Sequence, residues 1–476
     1  MRAVLRASAE CALVALVPVL LLVIRYFSWG AGPLRLLTYA LLFGFVALAT
    51  MRRSYLSSVW EVGSRHWGLA WLAGGLLLLH CVQFGLDIQR GGICLTDMGR
   101  PSICAAEWLR RGMNPWSECA PQLTAAERRA LPANDTYSEC LKQDACIDRK
   151  AGGTYRGWTH HGPGLDFMDG YKYGPITALV YGPLTHVLRE RGLFVVNFLF
   201  WLAHAGLLWA LARVAYPVQR AAPWRSLIGW LLPLVLPMSW VLPNLQVTAF
   251  GGQFNLSPPE RDTFVLELTR RCSNDIIPVV LGLAALYCAA RRRAPMAGIF
   301  LGLSLGAKPL PGLLLCLLLP GLTEGRALRL LLWAALTATL CYLPFFAWAP
   351  REMIANLVLF SLLRPTNSSS IRAYLPADWE GAVSALQLLM CLVLVVSFYR
   401  AGPRDLARLL RSSALLCLSF VALNKVVHGN YLLWLQPLLA LALGGLPFRP
   451  PTRVRARAAT PVSPMPSALN TTRRTE

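Results

Sequence analysis

The chain draws its positive charge almost entirely from arginine, so its five lysines stand apart: Lys142, Lys150, Lys172, Lys308 and Lys425. The first two lie in an open polar stretch and need no role beyond solvation. The other three adjoin a motif or a helix break, where an ionisable group at a membrane boundary is costly enough to count as a functional hypothesis. Arginine meets phosphate with a planar fork and lysine with a point charge. Lys308 leads a candidate phosphate-binding set that also includes Arg364, Arg372, Lys425 and His428. The matching acid is Asp97, which opens the segment DMGRPSICAAEWLRRGMNPW; Asp87, nearer the preceding apolar block, is the alternative. A positioned general base contributes about 10²–10⁴ in rate, and stabilising a departing phosphate is usually the larger electrostatic share. Asp97 also precedes an amphipathic helix, where the same carboxylate would serve as a cap. Trp116, Lys172 and Tyr173 join the candidate set as substrate-contacting residues. For Trp116 and Tyr173 the competing role is anchorage in the headgroup layer, the commoner use of interfacial aromatics. The spacings of the cysteines match no zinc pair, so no metal site is expected.

Apolar blocks must hold these residues in place. Hydrophobic residues make up 55% of the 476 residues, mean hydropathy is +0.47, and about 20 apolar residues suffice for one helical span. Spans are expected near 10–27, 35–51, 67–86, 192–213, 226–246, 274–290, 327–348, 382–399, 411–425 and 430–447. Two shorter pieces, 294–307 and 309–320, meet at Lys308-Pro309, where proline removes a helix donor and strains the preceding turn. Backbone polar groups in lipid must be satisfied internally. The expected fold class is therefore an all-α polytopic integral membrane protein with a large polar loop, 87–172, containing short helices.

The net charge of +22 points to the membrane rather than to nucleic acid, because the arginines cluster in short loops, as on the cytoplasmic side of polytopic proteins. With both termini inside, the Arg52–Arg53, Arg213–Arg225, Arg291–Arg293, Arg326–Arg329 and Arg400–Arg411 clusters alternate with the spans, provided that 174–188 is re-entrant or interfacial. This places 87–172, 248–273, the Lys308 tip, 349–381 and 424–430 together on the outer face. Cys94, Cys104, Cys119, Cys140, Cys146 and Cys272 fall on the same side, enough for up to three disulfides of unreadable connectivity. Sequons at Asn134 and Asn367 lie there too. Three parts are expected: extra N-terminal spans over 1–66, a catalytic membrane module over 67–447, and a disordered basic cytoplasmic tail over 448–476.

From about residue 87 to 447 the chain resembles the family 87 glycosyltransferases, polytopic enzymes of the GT-C class that use polyprenyl-phosphate sugars. Asp97 stands at that family's loop acid. Ala105-Ala106 through Gly112, Pro115 and Trp116 match its small-residue helix and turn, and Tyr173-Gly174-Pro175 its aromatic-Pro element, with Gly174 where a second proline is usual. Either Gly252-Gln253-Phe254-Asn255 or Ser273-Asn274-Asp275 corresponds to its Gly-Gln-x-Asn element, and the latter match implies Asn274 and Asp275 as substrate-contacting residues. RRRAPMAGIFLGLSLGAKPLPGLLL resembles its arginine turn and Lys-x-x-Pro break, and NKVVHGNYLLWLQPLLAL its C-terminal element, with His428 and Tyr431. No single motif is specific; order, spacing and shared sidedness carry the resemblance, and the two spans ahead of the large loop depart from the family pattern. The resemblance implies transfer of a mannose- or pentofuranose-class sugar from a polyprenyl phosphate to an outer-face glycan or lipid acceptor. It implies no cofactor beyond the donor lipid, partners limited to bilayer, donor and acceptor, and a plasma or inner membrane location. The alternative is a transporter, flippase or ligase of lipid-linked glycans, which would share the spans and basic loops.

Overall fold

The computed structural model describes residues 69–78, 80–81, 99–110, 112, 114–116, 171–188, 190–235, 246–249, 252–255, 274–323, 325–360, 370, 372, 375–400, 405–425 and 431–445. The expected spans at 10–27 and 35–51, the N-terminal part and the C-terminal tail lie outside them, as do Cys94, Cys119, Cys140, Cys146 and Cys272 among the cysteines assigned to the outer face.

In chain order the helices are α1 (Leu69–Leu78), α2 (Gly99–Arg110), α3 (Pro175–Leu188), α4 (Glu190–Ala215) and α5 (Ala222–Val235). A two-stranded antiparallel hairpin follows, β1 (Gln246–Ala249) and β2 (Gly252–Asn255), pairing Gln246 with Asn255. Then come α6 (Ile276–Ala290), α7 (Ala294–Ala307), α8 (Pro309–Cys316), α9 (Ala327–Trp348), α10 (Pro350–Ile354), α11 (Glu380–Arg400), α12 (Leu406–Leu423) and α13 (Leu432–Gly444). The described protein is thus mainly helical. The expected span 226–246 needs correction at its end, since Gln246 belongs to the hairpin.

Among the described residues, four helices are long and apolar enough to cross a membrane: Arg191–Ala215, Ala327–Trp348, Glu380–Arg400 and Leu406–Leu423. Their surroundings differ. α12 is mostly enclosed, whereas α9 and α11 turn Leu328, Leu332, Leu340, Leu388 and Leu392 outward with more than half of each residue exposed. Apolar faces of this extent are a liability in water and are the expected surface of a helix in lipid. α3 has 14 residues, short of the 20 or so that a span requires.

The core runs through α4, α5, α6, α7, α12 and α13. Two devices set its geometry. At the α6–α7 turn, Arg292 takes a positive φ of 59°, and the N–H groups of Arg292 and Arg293 return to the Ala289 and Cys288 carbonyls. This closes the helix end in the way that left-handed caps do. Along α7, Gly298, Gly302 and Gly306 recur every fourth residue and face α9. A Cβ at Gly302 would stand 2.6 Å from both the Ala334 carbonyl oxygen and Thr337 Cβ. Small residues at that spacing let two helix backbones approach closely, the usual packing device where lipid removes the hydrophobic drive between helices.

Candidate functional site

Lys308 sits between α7 and α8 with an extended backbone, φ −155° and ψ 116°. Pro309 accounts for this: a residue ahead of proline is pushed out of the α region. The Lys308 N–H still closes α7 by donating to Ser304 O at 3.0 Å, so the break costs α7 no donor at this point. The expected break between two short helices is therefore present at Lys308.

That ammonium donates to Asp275 Oδ1 at 2.6 Å, with Asp275 fully buried and the lysine side chain 18% exposed. Trp434 Nε1 donates to the same oxygen at 2.7 Å. Three rings surround the cation, with Nζ 5.4 Å from the Tyr173 centroid, 5.7 Å from Tyr431 and 5.2 Å from Trp434. These distances lie within cation–π range. Tyr431 and Trp434 stack on one another at 4.4 Å. Asp275 precedes α6, Tyr173 precedes α3, and Tyr431 and Trp434 open α13, so four separated pieces of chain meet at one charge. Ser304 pins α7 to α6 beside it, donating to Pro278 O at 2.8 Å.

Asn274 stands next to Asp275 and is itself buried. Its Nδ2 donates to Ser102 Oγ at 3.4 Å, and Ser102 is 3.3 Å from the Tyr171 hydroxyl. This ties α2 and the end of the large loop to the start of α6. Burial pushes the Tyr171 phenol well above its usual pKa, so it stays a neutral hydrogen-bonding group.

The segment just past α2 is fastened to the end of the large loop, and that end to α7. Tyr171 N–H donates to Pro115 O at 2.9 Å, and Trp116 Nε1 donates to Tyr173 O at 3.2 Å. Gly174 N–H and Thr177 Oγ1 both donate to Ala307 O, each at 3.0 Å. Gly174, the departure from the family pattern, has a local cause: a Cβ there would overlap the Gly306 carbonyl. Trp116 is fully buried, between Tyr171 at 5.8 Å and Phe345 at 5.1 Å. Held between these rings, the indole anchors the loop.

The remaining candidates divide. Lys172 donates to Asn356 Oδ1 at 2.6 Å and lies 4.6 Å from the Phe360 centroid. Arg372 works inside the protein: Nε donates to Leu423 O at 2.7 Å, Nη1 to Ser384 Oγ at 2.7 Å and Nη2 to Gln387 Oε1 at 2.8 Å. It clamps the carboxyl end of α12 to α11. Burial lowers its pKa, with Glu380 opposing. Each of its three guanidinium nitrogens donates to a protein acceptor, which makes Arg372 a latch between these two helices. Lys425 lies half-buried just past α12. Asp97, Asp87, Arg364 and His428 lie outside the described residues.

Beside the ion pair, Pro278, Leu283, Leu314, Cys417, Trp434 and Leu438 line a small apolar pocket. Trp434 therefore belongs to both features, its N–H on the carboxylate and its ring in the pocket wall. Among the described residues no cluster of three or more His, Cys, Asp or Glu is placed to hold a metal.

No family model, curated protein or solved structure matches this chain. The site thus rests on its own geometry, which includes residues that motif reading passed over. Trp434 had a signal: it lies three residues after Tyr431, on the same helical face. Ser102, Tyr171 and Asn356 had none, because Ser102 and Tyr171 meet across 69 residues and Asn356 meets Lys172 across 184. The stretch 349–381 was expected to be a loop, and its first part is helical instead, as α10 and a π-helical turn over Ala355–Leu359.

Proposed function

We propose that this protein is a membrane glycosyltransferase that moves a sugar from a polyprenyl-phosphate donor to a glycan or lipid acceptor on the outer face, as a multi-pass enzyme of the GT-C type. One observation carries the reading. A lysine on a helix break is held by a buried carboxylate and three rings, and one of those rings also walls an apolar pocket. A ligand with an anionic head and a long apolar tail fits that pairing of charge and surface.

In this reading Lys308 takes the donor phosphate as it leaves, with Lys172, Arg364, Lys425 and His428 as further cations, and Asp97 removes the acceptor proton. Exchange of the Asp275 contact for a phosphate keeps the ammonium paired throughout. Electrostatic stabilisation of a leaving group is most effective where water is excluded and the donor is already oriented. The four-sided enclosure of Lys308 supplies that orientation.

A second reading, a transporter, flippase or ligase of lipid-linked glycans, draws support from the broken α7–α8 pair, since discontinuous helices also build transport sites. One experiment separates the two. Purified protein is given a radiolabelled polyprenyl-phosphate sugar and scored for sugar transfer and for lipid translocation in vesicles. The transferase reading expects consumption of the donor, bound but untransferred donor in Asp97→Asn, and weakened donor binding in Lys308→Ala. Full transfer by Asp97→Asn would remove that residue as the base, and translocation without transfer would select the alternative.

A further inference from the structure

We infer that Asn356 is a positioning residue for the Lys308 site, acting through Trp116 and Tyr173. The carboxamide is committed at both ends. Its Nδ2 donates to Trp116 O at 3.0 Å and to Glu352 O at 2.9 Å, while its Oδ1 accepts from Lys172 Nζ at 2.6 Å. Two carbonyls can only accept and an ammonium can only donate, so the amide has a single allowed orientation.

The local backbone is built for this placement. Asn356 lies in the π-helical turn Ala355–Leu359, closed by the Phe360 N–H on Ala355 O, five residues back. Such turns are rare, are usually single, and recur at functional sites. Here the turn leaves Asn356 with no exposure and sets the Phe360 ring 4.6 Å from the same Lys172 ammonium. Two side chains from one turn therefore grip one lysine.

The network then runs to the ion pair. Trp116, whose carbonyl Asn356 holds, donates from Nε1 to Tyr173 O at 3.2 Å, and the Tyr173 ring stands 5.4 Å from Lys308 Nζ. A single amide thus fixes the large loop at Trp116, just past α2, and at its exit, Lys172-Tyr173, and through them one wall around Lys308. What Lys308 does with its ligand rests on the function proposed above; the positioning does not.

The chain's five lysines allow a direct test. Purified full-length protein in lipid nanodiscs is treated with an amine-acylating reagent, and modification rates are read peptide by peptide at Lys172, Lys308 and Lys425. Asn356→Leu keeps the volume and removes all three hydrogen bonds. It is expected to raise modification at Lys172 and Lys308 by about fivefold each, the scale of one lost hydrogen bond, with Lys425 unchanged. Asn356→Asp keeps an acceptor for Lys172 and loses both donations, so the increase should fall on Lys308 alone. Trp116→Phe, which removes only the bond to Tyr173, should act in the same way and guards against a misfolded Asn356 variant. An unchanged Lys308 in all three variants overturns the inference, and so does an equal rise at Lys425, which would mark general loosening.

A transfer assay on the same samples keeps the two ideas apart. The expected result is a higher KM for the polyprenyl-phosphate sugar with kcat less affected, restored toward normal by Asn356→Gln if that side chain recovers the labelling pattern. Normal labelling shifts in a protein that transfers no sugar would sink the functional reading and leave the positioning role standing.

Discussion

Lys308 and Asp275 meet at 2.6 Å across 33 residues of sequence, and the exposure of the pair is lopsided: the carboxylate has none, while the lysine keeps 18% of its side chain exposed. The pair is thus a buried anion held by a cation that can still reach outward. This asymmetry suits a group that must exchange partners without leaving its place.

The first prediction follows from that imbalance. Removing one partner of a buried pair costs about 3–5 kcal/mol when the other charge stays stranded. Lys308→Met strands the fully buried carboxylate and should approach that range. Asp275→Asn leaves an ammonium with partial access to solvent and keeps an oxygen for Trp434, so it should cost less. Thermal melts in one detergent should rank Lys308→Met below Asp275→Asn, and the double variant Lys308→Met/Asp275→Leu should recover part of the loss. Equal melting temperatures for the two single variants would contradict the burial argument.

Trp434 contributes in two separable ways. Trp434→Phe keeps a ring near Lys308 and deletes the donation to Asp275, a hydrogen bond to a charged group worth about 1.5–3 kcal/mol. Trp434→Leu also removes the ring and part of the pocket wall. Stability should fall in both variants, and binding of a fluorescent short-chain prenyl phosphate should fall further in Trp434→Leu. Equal binding by the two would show that the ring is dispensable.

The α7–α9 seam predicts opposite signs for one substitution at two glycines. Gly302→Ala drives a methyl toward the Ala334 carbonyl and Thr337, whereas Gly206→Ala, in α4, meets nothing within 4 Å. Alanine is the better helix former by about 1 kcal/mol, so Gly206→Ala should leave the melting temperature unchanged or raised. Gly302→Ala should lower it, since the two helix backbones must separate. A neutral Gly302→Ala would mean that the seam is looser than described.

Arg372→Lys tests the latch. Charge is retained, so a purely electrostatic phosphate contact would survive, but one ammonium cannot span the acceptors on Leu423, Ser384 and Gln387. The expected loss is about 1–3 kcal/mol in a chemical or thermal unfolding series, together with faster amide hydrogen exchange at the end of α12. An unchanged exchange rate there would rule the latch out.

Some of this was legible in advance. Hydropathy located α4, α9, α11 and α12 to within a few residues, because burial in lipid is a property of local composition over a window the length of one helix. Lys308-Pro309 announced its own break, because proline acts on the residue beside it. Asn274 and Asp275 were singled out as polar residues at the head of an apolar run, but their spacing carried no sign that one would bond Ser102 and the other Lys308. The hairpin at 246–255 was missed for a related reason, since a pair of four-residue strands leaves little period to detect.

What the sequence determined by itself is the class of molecule, the place of its helix break and the scarcity of lysine, all set by short-range chemistry. What only the tertiary structure decided is which charges meet: Lys308 with Asp275, Lys172 with Asn356, and Arg372 with the end of α12. Those partners lie 33, 184 and 51 residues apart. Pairing over such distances depends on how helices stack, and here the stacking is governed by glycines and aromatic rings whose partners no local pattern specifies.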